Sequence, residues 1–413
     1  MDEHINENII YDVLVIGGGA SGMMASIMAA RSGRRVIVID KNNAVGKKIL
    51  STGNGRCNFS NKNVDASYYP DVDGERLERV FERFSLGDTI EFFRQLGIYP
   101  VAKDGWLYPI CEQARSVRDV LWEEMKHLGV EIITDNKVVG VNQTPGGYIV
   151  VCEHGSYDAN KCIIATGGLA APKCGCDGDG YRFAQDLGHT LSYPLPALTS
   201  LVCHRNPLRK AEGIRIAAEV RLFVDDRETA VSQGQMQITG GGISGIPVFQ
   251  ISRYASRALY ENHTVRAEVR FLPQISAEDM QAELAKRFRK KELSEYQCLI
   301  GLFPDKLIDV LLRAAGCDPD AYASDISVEG IKALEVLIES FPLAISGTGD
   351  FYQAQVTTGG VPLLEVDCNT MESTVSPGLY LCGEVLDVDG ECGGYNLQWA
   401  WSSGALAGMS AGA

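Results

Sequence analysis

Residues 10–41, IYDVLVIGGGASGMMASIMAARSGRRVIVIDK, constrain the fold more than any other stretch of the chain. A β-branched apolar run at 10–16, with one polar break, leads into Gly17, Gly19 and Gly22, which satisfy G-x-G-x-x-G. Residues 20–31 read as a small-residue helix closed by Gly33, and 36–39 as the next strand. Each glycine has a physical reason. One makes the tight turn, one lets the backbone approach a pyrophosphate, and one lets helix and strand pack closely, with the anion on the helix N-terminus. Asp40, at the tip of the second strand, is placed to accept hydrogen bonds from a ribose. The stretch predicts a βαβ dinucleotide-binding unit in an α/β fold.

A chain of 413 residues is too long for one ordinary core, so two or three structural units are expected. Hydrophobic residues at 45% and charged residues at 22% are those of a globular protein. The net charge of -15 disfavours nucleic acid and anionic membrane as partners, because both require a basic face. The opening MDEHINENII lacks a basic n-region and a secretory h-region, and no apolar stretch approaches the length of a membrane span. Twelve cysteines are scattered with neither metal nor disulfide-framework spacing, which is the pattern of a reducing cytoplasm. A redox role for the tight Cys174 and Cys176 pair is disfavoured, and the six histidines show no ligand spacing.

Residues 46–61, GKKILSTGNGRCNFSN, have neither regular period and are expected as a loop held against something. Helices are expected at 75–96 and at 116–128, the latter opening with Ser116 and Asp119 at capping-box spacing. Strand-like runs at 130–134, 137–142 and 148–153 form a small meander that feeds a buried strand at 161–165. From 191 to 273 the pattern changes to short alternating strands without a nucleotide signature, and 276–340 turns helical, with Ser276 as N-cap. From about 352 the glycine-rich character returns, with TTGGV, GLYLCGE and GECGGYNLQWAWSSGALAG. The expected division is therefore a dinucleotide domain of residues 1–190 and 352–413, an inserted β-rich cap domain of 191–275 and 341–351, and a helical subdomain of 276–340. GGGISG at 240–245 repeats the glycine letters without the flanking strand and acid, and is read as a loop over the active site, not a second nucleotide unit.

The blocks GGGASG, GKKILSTGNGRCNFSN, GGGISGIPVFQISR, TTGGV and GEVLDVDGECGGYNLQWA resemble the two-dinucleotide-fold flavoproteins, and among them the family first known from an uncharacterised Haemophilus flavoprotein. The resemblance covers nearly the whole chain. Asp40 stands where many relatives carry Glu, and ITGGG replaces a Thr-His-containing entry before GISG. What the resemblance implies is a discontinuous, glutathione-reductase-like Rossmann domain that binds FAD. Gly17, Gly19, Ala20, Ser21 and Gly22 would surround the pyrophosphate, Asp40 and Lys41 the adenosine ribose, and Val138 or Val139 the adenine. Ala165, Thr166 and Gly167 would line the middle of the cofactor, and Gly383 and Glu384 the ribityl and pyrophosphate. Gly394, Tyr395, Asn396 and Leu397 would meet the isoalloxazine, with Arg56, Cys57 and Asn58 approaching from the other loop. Lys47, Asp387 and Gly393 complete the implied set.

The family includes reductases of carbon-carbon double bonds conjugated to a ketone, active on 3-dehydro-bile acids, and an aminoacetone oxidase. The implied function is an FAD-dependent oxidoreductase with NAD(P)H as donor and an apolar, steroid-like small molecule as substrate. A hydrogen-peroxide-producing amine oxidase is the alternative, and a flavin-containing binding protein without turnover a third reading. Candidate catalytic groups are Tyr395, Tyr108 and Arg56. Each tyrosine is either a donor to a developing enolate oxygen or a packing residue, and Arg56 either meets flavin or an anionic substrate or forms a structural salt bridge. A disulfide relay between Cys57 and Cys392 is disfavoured by their distant origins. The electron donor, the proton donor and the oligomeric state stay open.

Overall fold

In the computed structural model, which describes residues 10–413, β1 (Ile10–Ile16), α1 (Ala20–Arg31) and β2 (Val36–Ile39) form where the residue pattern places them. Val13 to Ile16 are buried whichever face of the sheet they point to, as in a central parallel strand covered on both faces, which is why its apolar run is continuous and not alternating. β2 runs parallel to β1, and β3 (Glu131–Ile133) lies parallel outside β2. β4 (Val138–Thr144), β5 (Gly147–Cys152) and β6 (Gly155–Ile164) form an antiparallel meander. Along the edge away from β1, β6 then serves two partners in turn. Its first half closes the meander against β5, whereas Cys162 to Ile164 pair in parallel with β7 (Leu379–Leu381). The sheet order is β3-β2-β1-β6-β5-β4, with β7 on β6, so residues from both ends of the chain complete one sheet.

The C-terminal helix α2 (Tyr395–Ala411) packs against α1 through glycines one turn apart. A Cβ at Gly404 would stand 2.5 Å from the Ser21 carbonyl oxygen, and one at Gly408 2.8 Å from the Ala25 carbonyl carbon. The two helix backbones therefore touch directly.

Three local expectations are corrected. The single helix over 75–96 is two, Gly74–Arg83 and Leu86–Gln95, parted by a capping box in which Ser85 Oγ accepts from the Asp88 amide and Asp88 accepts from the Ser85 amide. The same spacing at Ser116 and Asp119 caps nothing. That helix begins at Ala114, because its buried stripe of Ala114, Val117, Leu121 and Met125 starts there. Ser85→Ala is accordingly expected to lower stability by about 1 kcal/mol, and Ser116→Ala by far less, in paired urea-denaturation curves. Residues 46–61 hold a short helix, Lys47–Ser51, a 3-10 turn, Thr52–Gly55, and a strand, Ser60–Asn61, that pairs with Trp106–Pro109.

The chain divides into two compact units, one reaching Pro194 and resuming with Val356–Ala413, the other Leu195–Gln355. The strands that bracket the insertion, Ser192–Ala197 and Val356–Gly360, pair with each other. The second unit is built on a closed six-stranded barrel. Along Arg215–Val224 the buried residues alternate as Ile216, Ala218, Val220 and Leu222, and along Val265–Phe271 as Val265, Ala267, Val269 and Phe271, filling the interior. Gly242–Gly245, expected as a loop, is a barrel strand between Leu201–Cys203 and Arg227–Thr239. Gly242 lets the strands approach, since a Cβ there would meet the Leu201 backbone, and Ile243 points inward. Ala277–Arg287 is capped by Ser276, and the helices Asp305–Ala314 and Val328–Glu339 follow; all three share one apolar core with the barrel. Among the described residues no helix is long and apolar enough to cross a membrane.

Candidate functional site

The glycines of the first turn fall into two kinds. Gly17 has φ +98° and a Cβ there would lie 2.6 Å from the Ala165 carbonyl oxygen, while one at Gly22 would lie 3.0 Å from the Gly17 carbonyl carbon. Protein packing requires both. Gly19, the N-cap of α1, has φ -77° and no protein atom within 4 Å of a Cβ position. The fold does not need glycine there, and the space is left for something outside the chain. No side chain caps α1 and no acid lies in its first turn, so the Ala20, Ser21 and Gly22 amides stand at the positive end of the helix dipole.

Asp40 is buried and braces this turn. Its Oδ2 accepts from the Gly18 amide at 2.8 Å, and Oδ1 from the Asn42 amide at 2.7 Å and from Asn42 Nδ2 at 2.9 Å. Lys41 turns to Asp177 and Asp179, and Lys47 reaches Asn42 Oδ1 at 3.4 Å. The Asn136 amide bonds to the Asp40 carbonyl at 3.2 Å, which brings the start of β4 beside the acid; there Val138 is buried and Val139 exposed.

In the middle of the cradle the Ala165 amide bonds to the Ile16 carbonyl at 2.9 Å, Thr166 follows, and Gly167 turns with φ +73°. Gly383 lies against Ser21, a Cβ there falling 2.9 Å from Ser21 Cβ. Gly383 is fixed from α2: its amide donates to Ser403 Oγ and its carbonyl accepts from Trp399 Nε1, both at 3.0 Å. Glu384 holds Lys48 at 2.6 Å and the Thr357 amide at 2.8 Å, and Asp387 accepts from the Gly359 amide at 2.9 Å.

At the N-terminus of α2, Gly393 and Gly394 have φ +132° and +96°. Gly394 must be glycine, since a Cβ would stand 2.5 Å from the Ser60 carbonyl carbon and 2.9 Å from Asn58 Oδ1. Asn58 is buried, and its Oδ1 has no hydrogen-bond partner among the described residues. Such an orphaned acceptor is costly unless a ligand satisfies it. The Asn396 side chain is spent on Gly390, accepting from its amide at 2.9 Å and donating to its carbonyl at 2.8 Å. Leu397 is half-buried. Tyr395 stacks on Tyr68 at 4.4 Å and meets Tyr69 edge-on at 6.1 Å; burial and the Tyr68 hydroxyl hold its own hydroxyl well above the usual phenol range.

Arg56 is exposed, donates to the Gly53 carbonyl at 3.2 Å, lies 3.8 Å from Glu112 and places its guanidinium 5.3 Å from the Tyr108 ring centroid. Tyr108 is buried, which raises its hydroxyl pKa, against a smaller opposing pull from Arg56. Cys57 is buried at φ +58°, and burial pushes its thiol up to about 12, as it does that of Cys392. Neither supplies a thiolate at neutral pH. Among the described residues no group of His, Cys, Asp and Glu could hold a metal.

The chain thus brings the α1 turn together with Ala165 and Gly383, Asn58 with Gly394, and Arg56 with Tyr108. It directs Lys41, and the side chains of Asp40 and Asn396, to partners within the protein. Lys48, Thr357, Trp399 and Ser403 have places here that residue patterns did not indicate. An open position over Gly19, a glycine-capped helix end on each side and one orphaned buried acceptor fit an elongated anionic cofactor with a polar ring edge, which is what FAD offers.

A family model described as the HI0933-like protein Rossmann domain matches residues 11–410. A 3-dehydro-bile acid delta(4,6)-reductase of Clostridium scindens is 41% identical over 400 residues, spanning 96% of this chain and 98% of that protein. A ribosomal RNA dihydrouridine synthase of Escherichia coli is 31% identical, spanning 95% and 96%. The 3-ketosteroid-delta4-(5alpha)-dehydrogenase of Rhodococcus jostii, solved with 4-androstene-3,17-dione, shares the fold with a TM-score of 0.51 at 18% identity, covering 99% of this chain and 98% of that one. With a βαβ cradle, a returning C-terminal helix and these matches over nearly its whole length, the chain belongs to the HI0933-like family of FAD-dependent oxidoreductases.

Proposed function

We propose that this protein is an NAD(P)H-linked reductase of carbon-carbon double bonds conjugated to a ketone, with a 3-dehydro-bile acid as substrate. The observation that carries the reading is the 41% identity to a reductase of that name along 96% of the chain. Bound FAD supplies the hydride chemistry. The chain's own residues do the rest: the α1 turn binds the diphosphate, and Asn58 offers a fixed acceptor at the N-terminus of α2. Tyr395 and Tyr108 are phenols, protonated at neutral pH, and burial raises their hydroxyls further, so both can donate to a developing enolate oxygen. Arg56, 45% exposed in its side chain, is the cation available to an anionic group of the substrate.

A second reading rests on the Escherichia coli relative at 31% identity. The C5–C6 double bond of uracil is conjugated to a carbonyl as an enone is, so the same hydride and proton additions would serve an RNA base. A net charge of -15 disfavours that substrate but does not bear on the chemistry.

Anaerobic stopped-flow separates the readings. Protein reduced by NADH or NADPH is mixed in turn with a 3-oxo-4-ene bile acid, an unmodified ribosomal RNA fragment and air-saturated buffer. Fast flavin reoxidation by the enone alone is the expected result. Reoxidation by RNA alone transfers the function to the pyrimidine, and fast reaction with oxygen alone makes the protein an oxidase.

A further inference from the structure

Lys48 and Glu384 stand 336 residues apart, yet Nζ and Oε2 meet at 2.6 Å, with both side chains mostly buried. The second carboxylate oxygen of Glu384 accepts from the Thr357 amide at 2.8 Å, so the carboxylate is fixed at both oxygens. It follows Gly383, which lies against Ser21 in the first turn of α1, where the diphosphate-binding amides are. The titratable groups facing the pair from neighbouring elements are the Cys174 and Cys176 thiols and Tyr181, with Lys41 near Cys176 and Asp387 near Tyr181. Burial opposes the charge on Lys48, but Glu384 together with the Cys176 and Cys174 sulfurs outweighs it, and the ammonium pKa lies above its ordinary value. Burial also pushes the Cys176 thiol up to about 11, so at neutral pH the charges in contact are those of Lys48 and Glu384.

We infer that Lys48 is the counter-charge that permits a carboxylate beside the diphosphate of the bound dinucleotide, a positioning residue for Glu384. The inference rests on the FAD reading of this site. A diphosphate is doubly anionic at neutral pH, and an unpaired carboxylate nearby in a partly dehydrated cleft repels it. Removing Lys48 leaves Glu384 desolvated and unpaired, which is far more costly than never having had the pair. Without Lys48, removing the Glu384 charge by substitution should therefore restore affinity for the anion.

The test is titration of apoprotein with FAD, followed by flavin fluorescence at neutral pH. Lys48→Met is expected to raise the Kd about 30-fold. Most of that loss should return when Glu384→Gln is added; Lys48→Arg should bind as the native protein does. An unchanged Kd for Lys48→Met, or a loss not rescued by Glu384→Gln, overturns the inference. Should Lys48→Met not fold, Lys48→Gln is titrated in its place, alone and combined with Glu384→Gln, and the same two outcomes decide. Failure of the native protein to take up FAD would instead remove the cofactor reading itself.

Discussion

Gly19→Asp is expected to leave the apoprotein as stable as the native one, or more stable by a few tenths of a kcal/mol, while weakening FAD binding at least about 100-fold. Aspartate suits the backbone of an N-cap at φ -77° and ψ -168°, and its carboxylate would cap amides that no side chain now caps. The same carboxylate would occupy the open position over Gly19 and present a negative charge to the diphosphate. Thermal unfolding of apoprotein and an FAD titration read the two effects separately. Destabilisation in parallel with lost binding would show that Gly19 serves the fold, and retained binding would place the diphosphate elsewhere. Gly17→Ala and Gly22→Ala should behave oppositely, losing stability before any ligand is added, because their missing Cβ atoms face the protein's own backbone.

The second large effect lies between α1 and α2. Alanine is the better helix former by about 1 kcal/mol, so Gly408→Ala in an unconstrained helix would stabilise. Here the new methyl would press on the carbonyl carbon and Cα of Ala25, both 2.8 Å away, and backbone cannot rotate aside as a side chain can. Overpacking of this kind costs about 1–3 kcal/mol or more, so the net expectation for Gly408→Ala is a loss of about 2 kcal/mol, with Gly404→Ala similar. Urea denaturation at unchanged slope measures it. A gain in stability would mean that the helices separate at little cost. Gly408→Leu should not yield folded protein at all.

The first βαβ unit was legible to the residue because three signals coincide there: a continuous apolar strand, a glycine turn with a steric reason, and a small-residue helix closed by Gly33. The capping boxes show where such signals fail. Ser85–Asp88 and Ser116–Asp119 share one spacing, but only the first lies at the start of an apolar stripe, and the position of buried Ala114 decided against the second. Gly242–Gly245 reads as a loop because glycines weaken strand propensity; it is a strand because a closed barrel fixes both neighbours and rewards close approach. The glycine cradle could be located from the sequence, yet the internal partners of Asp40 and Asn396 could not, since Asn42 and Gly390 carry no distinctive pattern. Lys48 was hidden for a further reason. One lysine in GKK looks solvated until a carboxylate from the far end of the chain is placed beside it.

The strands that bracket residues 195–355 pair with each other, and this gives the gene a point of exchange. A segment whose two ends are held side by side by one ladder can be lengthened, shortened or traded for another without cutting the sheet that carries the cofactor cradle. Changes within residues 195–355 and changes in the glycine cradle can then accumulate on separate stretches of the coding sequence, so the insertion can diverge while the residues from Gly17 to Asp40 and from Gly383 to Gly408 stay under the same steric constraint.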